Sequence, residues 1–326
     1  MKRIAVLDDY QGVAREMPGW DALAARARID VFRDTLATTD ALADRLDAYE
    51  ILVPIRERTR FSRELIERLP RLELLALAGR NTGQIDMGAA TARGILVTES
   101  EGSGAGAVEL TMGLMLALVR RIPLEDRAMR EGRWQTGLGV ELAGKTLGIV
   151  GLGRIGRRIA AFGALLGMTV LAWGPTLTPE RAAASRARYV PLDQLLAASD
   201  VLSLHLRLVE ATRGILGARE LALVKPSAYL VNTARGPLVD EDALVAALRD
   251  RRIAGAALDV FAREPIPADH PLLALDNVVL TPHVGFVTVE TYRAFYGQAA
   301  ESIGDHLSGR PPARLLNPEA LGCRKT

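Results

Sequence analysis

Thr146-Leu147-Gly148-Ile149-Val150-Gly151-Leu152-Gly153-Arg154-Ile155-Gly156 is the stretch whose reading decides the fold. It reads as a short buried strand, a glycine turn and a helix start. Gly151, Gly153 and Gly156 keep the G-x-G-x-x-G spacing. The first suits a tight turn, the second lets backbone approach a pyrophosphate, and the third lets helix and strand pack closely. The start of the helix offers free N–H groups and about half a positive charge, which suits a phosphate. Helical spacing follows in Ile155, Ile159, Phe162, Leu165 and Leu166, and residues 169–173 form a second strand pattern. A merely tight βα turn has the same three glycines; the strand before and the helix and strand after favour a dinucleotide loop. Gly151, Gly153, Arg154, Ile155 and Gly156 are therefore candidate cofactor contacts.

The bulk properties narrow the function class. A chain of 326 residues suits two domains, each with its own core. A net charge of +2 without a dense Lys/Arg run argues against nucleic acid. The single cysteine, Cys323, rules out an internal disulfide framework and a cysteine-rich metal site, and no metal is expected. The apolar run at residues 4–7 is too short for a signal-peptide core, and the longest apolar stretch, 110–119, is too short to span a bilayer. The expectation is a cytoplasmic protein without a membrane partner.

Upstream of the glycine loop, strand patterns at 4–7, 29–32, 51–55, 72–78 and 95–98 are interleaved with helical patterns at 20–28, 39–46 and 62–69. Such alternation implies a parallel sheet with helices on both faces and right-handed crossovers. Two loops at strand ends are charged: Arg56-Glu57-Arg58-Thr59 and Gly79-Arg80-Asn81-Thr82-Gly83. Ligands of open α/β sheets sit beyond the carboxyl ends of the strands. Arg56, Arg58, Gly79, Arg80 and Asn81 are thus candidate substrate contacts, with a solvated charged turn and a glycine turn as the plainer alternative. Residues 102–106 read as a hinge. Residues 108–119 read as a helix apolar on nearly all sides, suited to burial between domains or subunits. Arg120-Arg121 and Pro123 are read as its end, and an irregular arm containing Trp134 leads to the glycine-loop strand.

Downstream, strands are expected at 201–205, 228–232, 256–260 and 278–281, and helices at 192–198, 218–224 and 240–249, the last capped by Asp240. The acid that binds the ribose 2′-OH normally stands about 20 residues past the first glycine. Here that place holds Trp173-Gly174-Pro175-Thr176, with no acid before Glu180. Its absence removes an obstacle to a 2′-phosphate. Thr176 and Thr178 suit either ribose, and Arg207 is placed to help a phosphate, so NAD and NADP both stay open.

Each late strand releases a charged group past its carboxyl end: Arg235, then Asp259 and Glu264, then His283. A cation, an acid and an imidazole beside a dinucleotide fit hydride transfer at a 2-oxo or 2-hydroxy acid. A guanidinium binds carboxylate and carbonyl oxygen in a planar fork. A histidine titrating near neutrality is the natural acid/base, and a carboxylate on its other nitrogen fixes the tautomer. Of the four histidines, His205 ends a strand and lines a cleft, His270 caps a loop, and His306 is expected to be exposed near a helix end. His283 alone follows a buried strand and precedes a glycine. Asp259 needs a partner if buried, either a nicotinamide carboxamide or a backbone N–H.

These residues resemble the D-isomer-specific 2-hydroxyacid dehydrogenases, including D-3-phosphoglycerate dehydrogenases. Gly151-Leu152-Gly153-Arg154-Ile155-Gly156, Asn232-Thr233-Ala234-Arg235-Gly236, Asp259 with Glu264-Pro265, and Thr281-Pro282-His283 match that family's motifs in type and order. The resemblance implies an α/β fold of two doubly wound parallel-sheet domains. A Rossmann nucleotide-binding domain (100–284) would be inserted into a flavodoxin-like substrate domain (1–99 and 285–326). By resemblance Arg235 holds substrate, Glu264 orients His283, and Asp259 faces the nicotinamide. Trp173, Thr176, His205, Arg207, Thr212 and Thr233 join the cofactor set. The implied reaction passes a hydride between NAD, or NADP, and C2 of a D-2-hydroxy acid or 2-oxo acid, such as D-3-phosphoglycerate, hydroxypyruvate or glyoxylate. A non-enzymatic NAD(H)-sensing protein is the alternative. The resemblance also implies a homodimer joined through the nucleotide domain, and a short form with no regulatory domain after Thr326. His205-Leu206-Arg207 departs from the family's His-x-Pro, and Glu264 stands where related formate dehydrogenases place Gln.

Overall fold

In the computed structural model, which describes residues 1–80 and 82–323, the chain divides into two compact units. Met1–Ser103 and the residues from Val287 onward form the first, and Gly104–Phe286 the second.

The first unit runs β1 (Lys2–Val6), α1 (Trp20–Ala24), β2 (Ala27–Val31), α2 (Thr39–Leu46), β3 (Ile51–Val53), α3 (Arg63–Glu67), β4 (Leu74–Ala76), α4 (Met87–Ala92) and β5 (Leu96–Thr98). All five strands are parallel, in the order β2-β1-β3-β4-β5. β3, β4 and β5 are buried along their whole length, as apolar runs in a sheet covered on both faces must be. The side chains of Thr38, Ser62 and Asp86 each accept a backbone N–H at the start of a helix.

The second unit contains α5 (Ala105–Val119), α6 (Ile122–Arg130), β6 (Thr146–Val150), α7 (Arg154–Leu165), β7 (Thr169–Trp173), α8 (Pro179–Ala183), β8 (Arg188–Tyr189), α9 (Leu192–Ala198), β9 (Val201–Leu204), α10 (Ala218–Leu223), β10 (Tyr229–Asn232), α11 (Glu241–Arg249), β11 (Gly255–Leu258) and β12 (Val278–Leu280). Its seven parallel strands are ordered β12-β11-β10-β9-β6-β7-β8. Successive residues feed opposite faces: Leu230 of β10 joins one core and Val231 the other. The chain then returns to the first unit as α12 (Val289–Leu307), capped by Thr288. Trp20 Nε1 donates to the Tyr296 carbonyl at 3.0 Å and ties this helix down.

Several expected elements differ. The apolar helix ends at Val119, capped by Arg120, as Arg120-Arg121 and Pro123 indicate, but a second helix, α6, follows at once, with Pro123 in its first turn, where a missing N–H costs nothing. α4, α8 and the two-residue β8 lack a long apolar period and escape a pattern search. The helix expected over 20–28 stops at Ala24, because β2 already begins at Ala27. His306 is buried rather than exposed. Its Nε2 bonds the Glu73 carboxylate at 3.0 Å, and Lys2 pairs with the other oxygen. The His306 bond, with help from Lys2 and against partial burial, holds Glu73 down at about 2. Among the described residues, no helix is long and apolar enough to cross a membrane.

Candidate active site

β6 lies between β9 and β7, so the glycine loop leaves the middle of the second unit's sheet. Gly151 takes φ 103°, and its N–H donates to the Trp173 carbonyl at 2.7 Å. A Cβ on Gly156 would stand 2.2 Å from the Gly151 carbonyl oxygen, so only glycine lets α7 pack this close. A Cβ on Gly153, the N-cap of α7, would meet nothing within 4 Å. No side chain caps this twelve-residue helix. Its amide end therefore faces open room bounded by glycine, which fits a dinucleotide pyrophosphate. Arg154 is exposed and Ile155 half-buried in the first turn.

The other cofactor candidates flank this loop on both sides. Trp173 is half-buried at the end of β7, and Thr176 is exposed on the turn that follows. His205 follows β9, with Nε2 at 2.9 Å from Ser203 Oγ. Burial alone pushes it down to about 4 and keeps it neutral. Arg207 is exposed. The Thr212 hydroxyl donates to the Arg207 carbonyl (2.7 Å) and accepts from Val209 N–H (2.9 Å), so it closes its own loop. The Thr233 hydroxyl meets Thr111 of α5 at 2.7 Å.

Arg235, Glu264 and His283 come from three loops at the carboxyl ends of β10, β11 and β12. Asn232 shapes the first loop: its amide donates to the Arg235 carbonyl (2.9 Å), and its oxygen accepts from Ala234 N–H (3.1 Å). Arg235 is half-buried. A Cβ on the next residue, Gly236, would stand 2.0 Å from the Phe261 carbonyl carbon, so the first two loops are in backbone contact. Glu241 pins the second loop by accepting from Ala262 N–H at 2.9 Å. Glu264 uses both oxygens: Oε1 accepts from Phe261 N–H at 2.9 Å, and Oε2 meets His283 Nδ1 at 2.5 Å. With Nδ1 engaged, Nε2 is the nitrogen that can serve a substrate. The Phe286 ring stands edge-on to His283, centroids 5.9 Å apart.

His283 itself has φ 52°, an unusual left-handed conformation for a residue with a side chain. Asp259 holds the loop in this shape. It is 1% exposed; Oδ1 accepts from the Thr281 hydroxyl (2.6 Å) and Val284 N–H (2.8 Å), and Oδ2 from Gly285 N–H (2.9 Å). Burial pushes its carboxyl above the usual range against the pull of those donors and of His283. Of its two candidate partners, the backbone N–H is the one this structure contains. Pattern reading gives no role to Asn232, Ser203 and Thr281; each is a small polar residue in or just past a strand, two or three positions before Arg235, His205 and His283 respectively. His270 caps its loop, Nδ1 accepting from Leu272 N–H at 3.3 Å, and its Nε2 lies 3.1 Å from Glu241.

In the first unit, Arg58 donates to the Asp8 carbonyl at 2.6 Å and lies over the Tyr10 ring at 4.2 Å. Arg56, with φ 51°, lies 3.4 Å from Glu57, and its side chain packs on Gly79. Arg80 pairs with Glu101 at 2.8 Å and Glu99 at 3.5 Å. Asn81 lies outside the described residues.

Residues 112–285 match the family model described as D-isomer specific 2-hydroxyacid dehydrogenase, NAD binding domain. The chain is 40% identical over 332 residues to a glyoxylate reductase of Aeropyrum pernix, covering 99% of this chain and 92% of that protein. It is 39% identical over 284 residues to a D-3-phosphoglycerate dehydrogenase of Methanocaldococcus jannaschii, covering 86% of this chain and 54% of that protein. The chain thus spans about half the length of the curated D-3-phosphoglycerate dehydrogenases it matches. A crystal structure of a phosphoglycerate oxidoreductase from Vibrio cholerae is similar with a TM-score of 0.90 at 38% identity, covering 95% of this chain and 100% of that one.

Proposed function

Because the chain belongs to the D-isomer-specific 2-hydroxyacid dehydrogenases, a family of NAD-binding oxidoreductases, we propose that it interconverts a 2-oxo acid and its D-2-hydroxy acid. A reduced nicotinamide dinucleotide, held by the glycine loop of residues 151–156, would supply the hydride for C2. His283 Nε2 gives its proton to the carbonyl oxygen as the C=O π bond opens, and takes it back in the reverse direction. Glu264 fixes the ring and stabilises the imidazolium. Arg235 binds the carboxylate next to the reacting carbon. The observation that carries this reading is the 2.5 Å bond between His283 Nδ1 and Glu264.

Glyoxylate, hydroxypyruvate and phosphohydroxypyruvate all satisfy these residues. Arg56, Arg58, Gly79, Arg80 and Asn81 are proposed substrate contacts of the first unit, and the glycine loop with Trp173, Thr176, His205, Arg207, Thr212 and Thr233 the cofactor contacts of the second; Asp259, with both oxygens bonded to the His283 loop, serves the nicotinamide side by holding that loop. The units accordingly act as substrate and nucleotide domains. A homodimer through the second unit is supported by Ile122, Met129, Trp134 and Leu138, large apolar side chains that are 54–93% exposed. A cytoplasmic location accords with the lone cysteine. The relatives named above are enzymes by name, and nothing among them supports the non-enzymatic alternative. The test is loss of reduced-nicotinamide absorbance with a panel of 2-oxo acids, with His283→Ala alongside. Turnover that survives in the variant refutes the assignment of His283.

A further inference from the structure

We propose that the turn after β7 is a 2′-phosphate site, formed by the Arg181 guanidinium and the Thr176 hydroxyl, so that this chain holds NADP(H) more tightly than NAD(H). The proposal rests on the nucleotide-binding reading above.

The turn is built beside the glycine loop. Leu177 N–H donates to the Gly174 carbonyl at 3.1 Å and closes it, and a Cβ on Gly174 would lie 3.9 Å from Gly151 Cα. In a Rossmann unit this is where the ribose of the adenosine half is read. A carboxylate there would accept from the 2′-OH and repel a 2′-phosphate, and residues 169–179 contain none. A guanidinium stands on the turn instead. Arg181 donates one N–H to the Thr176 carbonyl at 2.7 Å, which fixes its position. A guanidinium carries five N–H donors, enough to hold that carbonyl and bind phosphate oxygens in a fork. Thr176 is exposed at the same point.

Glu180, the one acid of this segment, is turned back on its own amide and on the Thr178 hydroxyl, which hold its carboxyl below the usual range. The Thr178 oxygen in turn accepts from Arg181 N–H at 3.3 Å, so Thr178 belongs to the scaffold. With Arg181, Arg186 and Arg188 against Glu180, residues 174–190 carry a net charge of +2.

The test is titration of the purified chain with NADH and NADPH, followed by nicotinamide fluorescence, for wild type, Arg181→Ala and Arg188→Ala. NADPH is expected to bind at least about tenfold more tightly than NADH. Arg181→Ala is expected to weaken NADPH by about 10- to 100-fold, the usual range for a charged hydrogen bond, and NADH by less than about twofold. Arg188→Ala, which removes a charge from the next strand, is expected to leave the preference in place. Equal or tighter binding of NADH, or equal weakening of both dinucleotides by Arg181→Ala, overturns the proposal. His283-dependent 2-oxo acid reduction with NADH would still leave the proposed function standing in that case. Failure of both dinucleotides to bind overturns the two readings together.

Discussion

The two units are both doubly wound parallel sheets, and both carry charged loops at the carboxyl ends of their strands, yet they handle those charges differently. In the first unit several charges are matched to other side chains, Arg80 to Glu99 and Glu101 and Asp8 to the Thr35 and Thr59 hydroxyls, while Arg58 donates to the Asp8 carbonyl and buried Asp9 accepts from Gly12 and Ala14 N–H. In the second, backbone N–H groups join side chains in holding both site carboxylates. Val284 and Gly285 N–H groups bind Asp259, Phe261 N–H binds Glu264, and Asn232 ties down the Arg235 loop. Side-chain pairs on a surface are soft and tolerate exchange. Backbone donors fix a carboxylate to the path of the chain, and that precision is what acid–base chemistry needs.

The sharpest way to break this contrast is His283→Ala. Turnover should fall about 100-fold or more, the usual contribution of general acid–base catalysis, while the dinucleotide still binds by fluorescence titration. Retained turnover would move the chemistry elsewhere. Next is Asp259→Asn, which replaces one acceptor oxygen by a donor facing Thr281, Val284 or Gly285. A loss of about tenfold or more in kcat with little change in dinucleotide affinity is expected if Asp259 acts by holding the His283 loop. A large rise in the dinucleotide Kd with kcat preserved would return it to the nicotinamide.

Acidification separates the units in a third way. His205 has its folded pKa lowered from 6.5 to about 4, so the folded form binds fewer protons than the unfolded one in that window. The second unit therefore loses stability as pH falls from 6.5 towards 4, by on the order of 3 kcal/mol. Glu73 in the first unit is lowered from 4.5 to about 2. Its contribution is present above 4.5 and is lost only as pH falls towards 2; after allowance for solvent screening it is on the order of 1 kcal/mol. Hydrogen exchange at pH 7, 5.5 and 4 should show the second unit opening first, and the reverse order would contradict both assignments. The smallest effect belongs to Arg80→Ala. Its side chain is 67% exposed, and thermal denaturation should register a loss of no more than about 1 kcal/mol.

Much of this was legible in the residues. The β6-turn-α7 unit follows from three glycines and an apolar run, and Asp240 was read as an N-cap and does accept from Ala243 N–H. Those signals are local. What escaped was set by partners far along the chain. The burial of His306 depends on Glu73 and Lys2, more than 230 residues away. The engagement of Arg80 depends on Glu99 and Glu101, on the far side of α4 and β5. Pro123 carries two messages, since a residue that stops one helix also opens the next; the stop after Val119 is legible and the start of α6 is not. At the site, residue types and order were readable, but the triple hold on Asp259 was not, because two of its donors are main-chain groups that any residue would supply.

The bare backbone contact at Gly236 has one more consequence. Because no side chain fits between the Arg235 loop and the Phe261–Glu264 loop, the two are welded into one piece, and a change in either is felt by both. Such a weld insulates the reaction from drift and leaves little room there for inherited variety. On the proposed function, a new substrate is met instead through Arg80, whose exposed pairs with Glu99 and Glu101 can be exchanged one at a time. On that reading, chemistry and choice of substrate are held in separate loops.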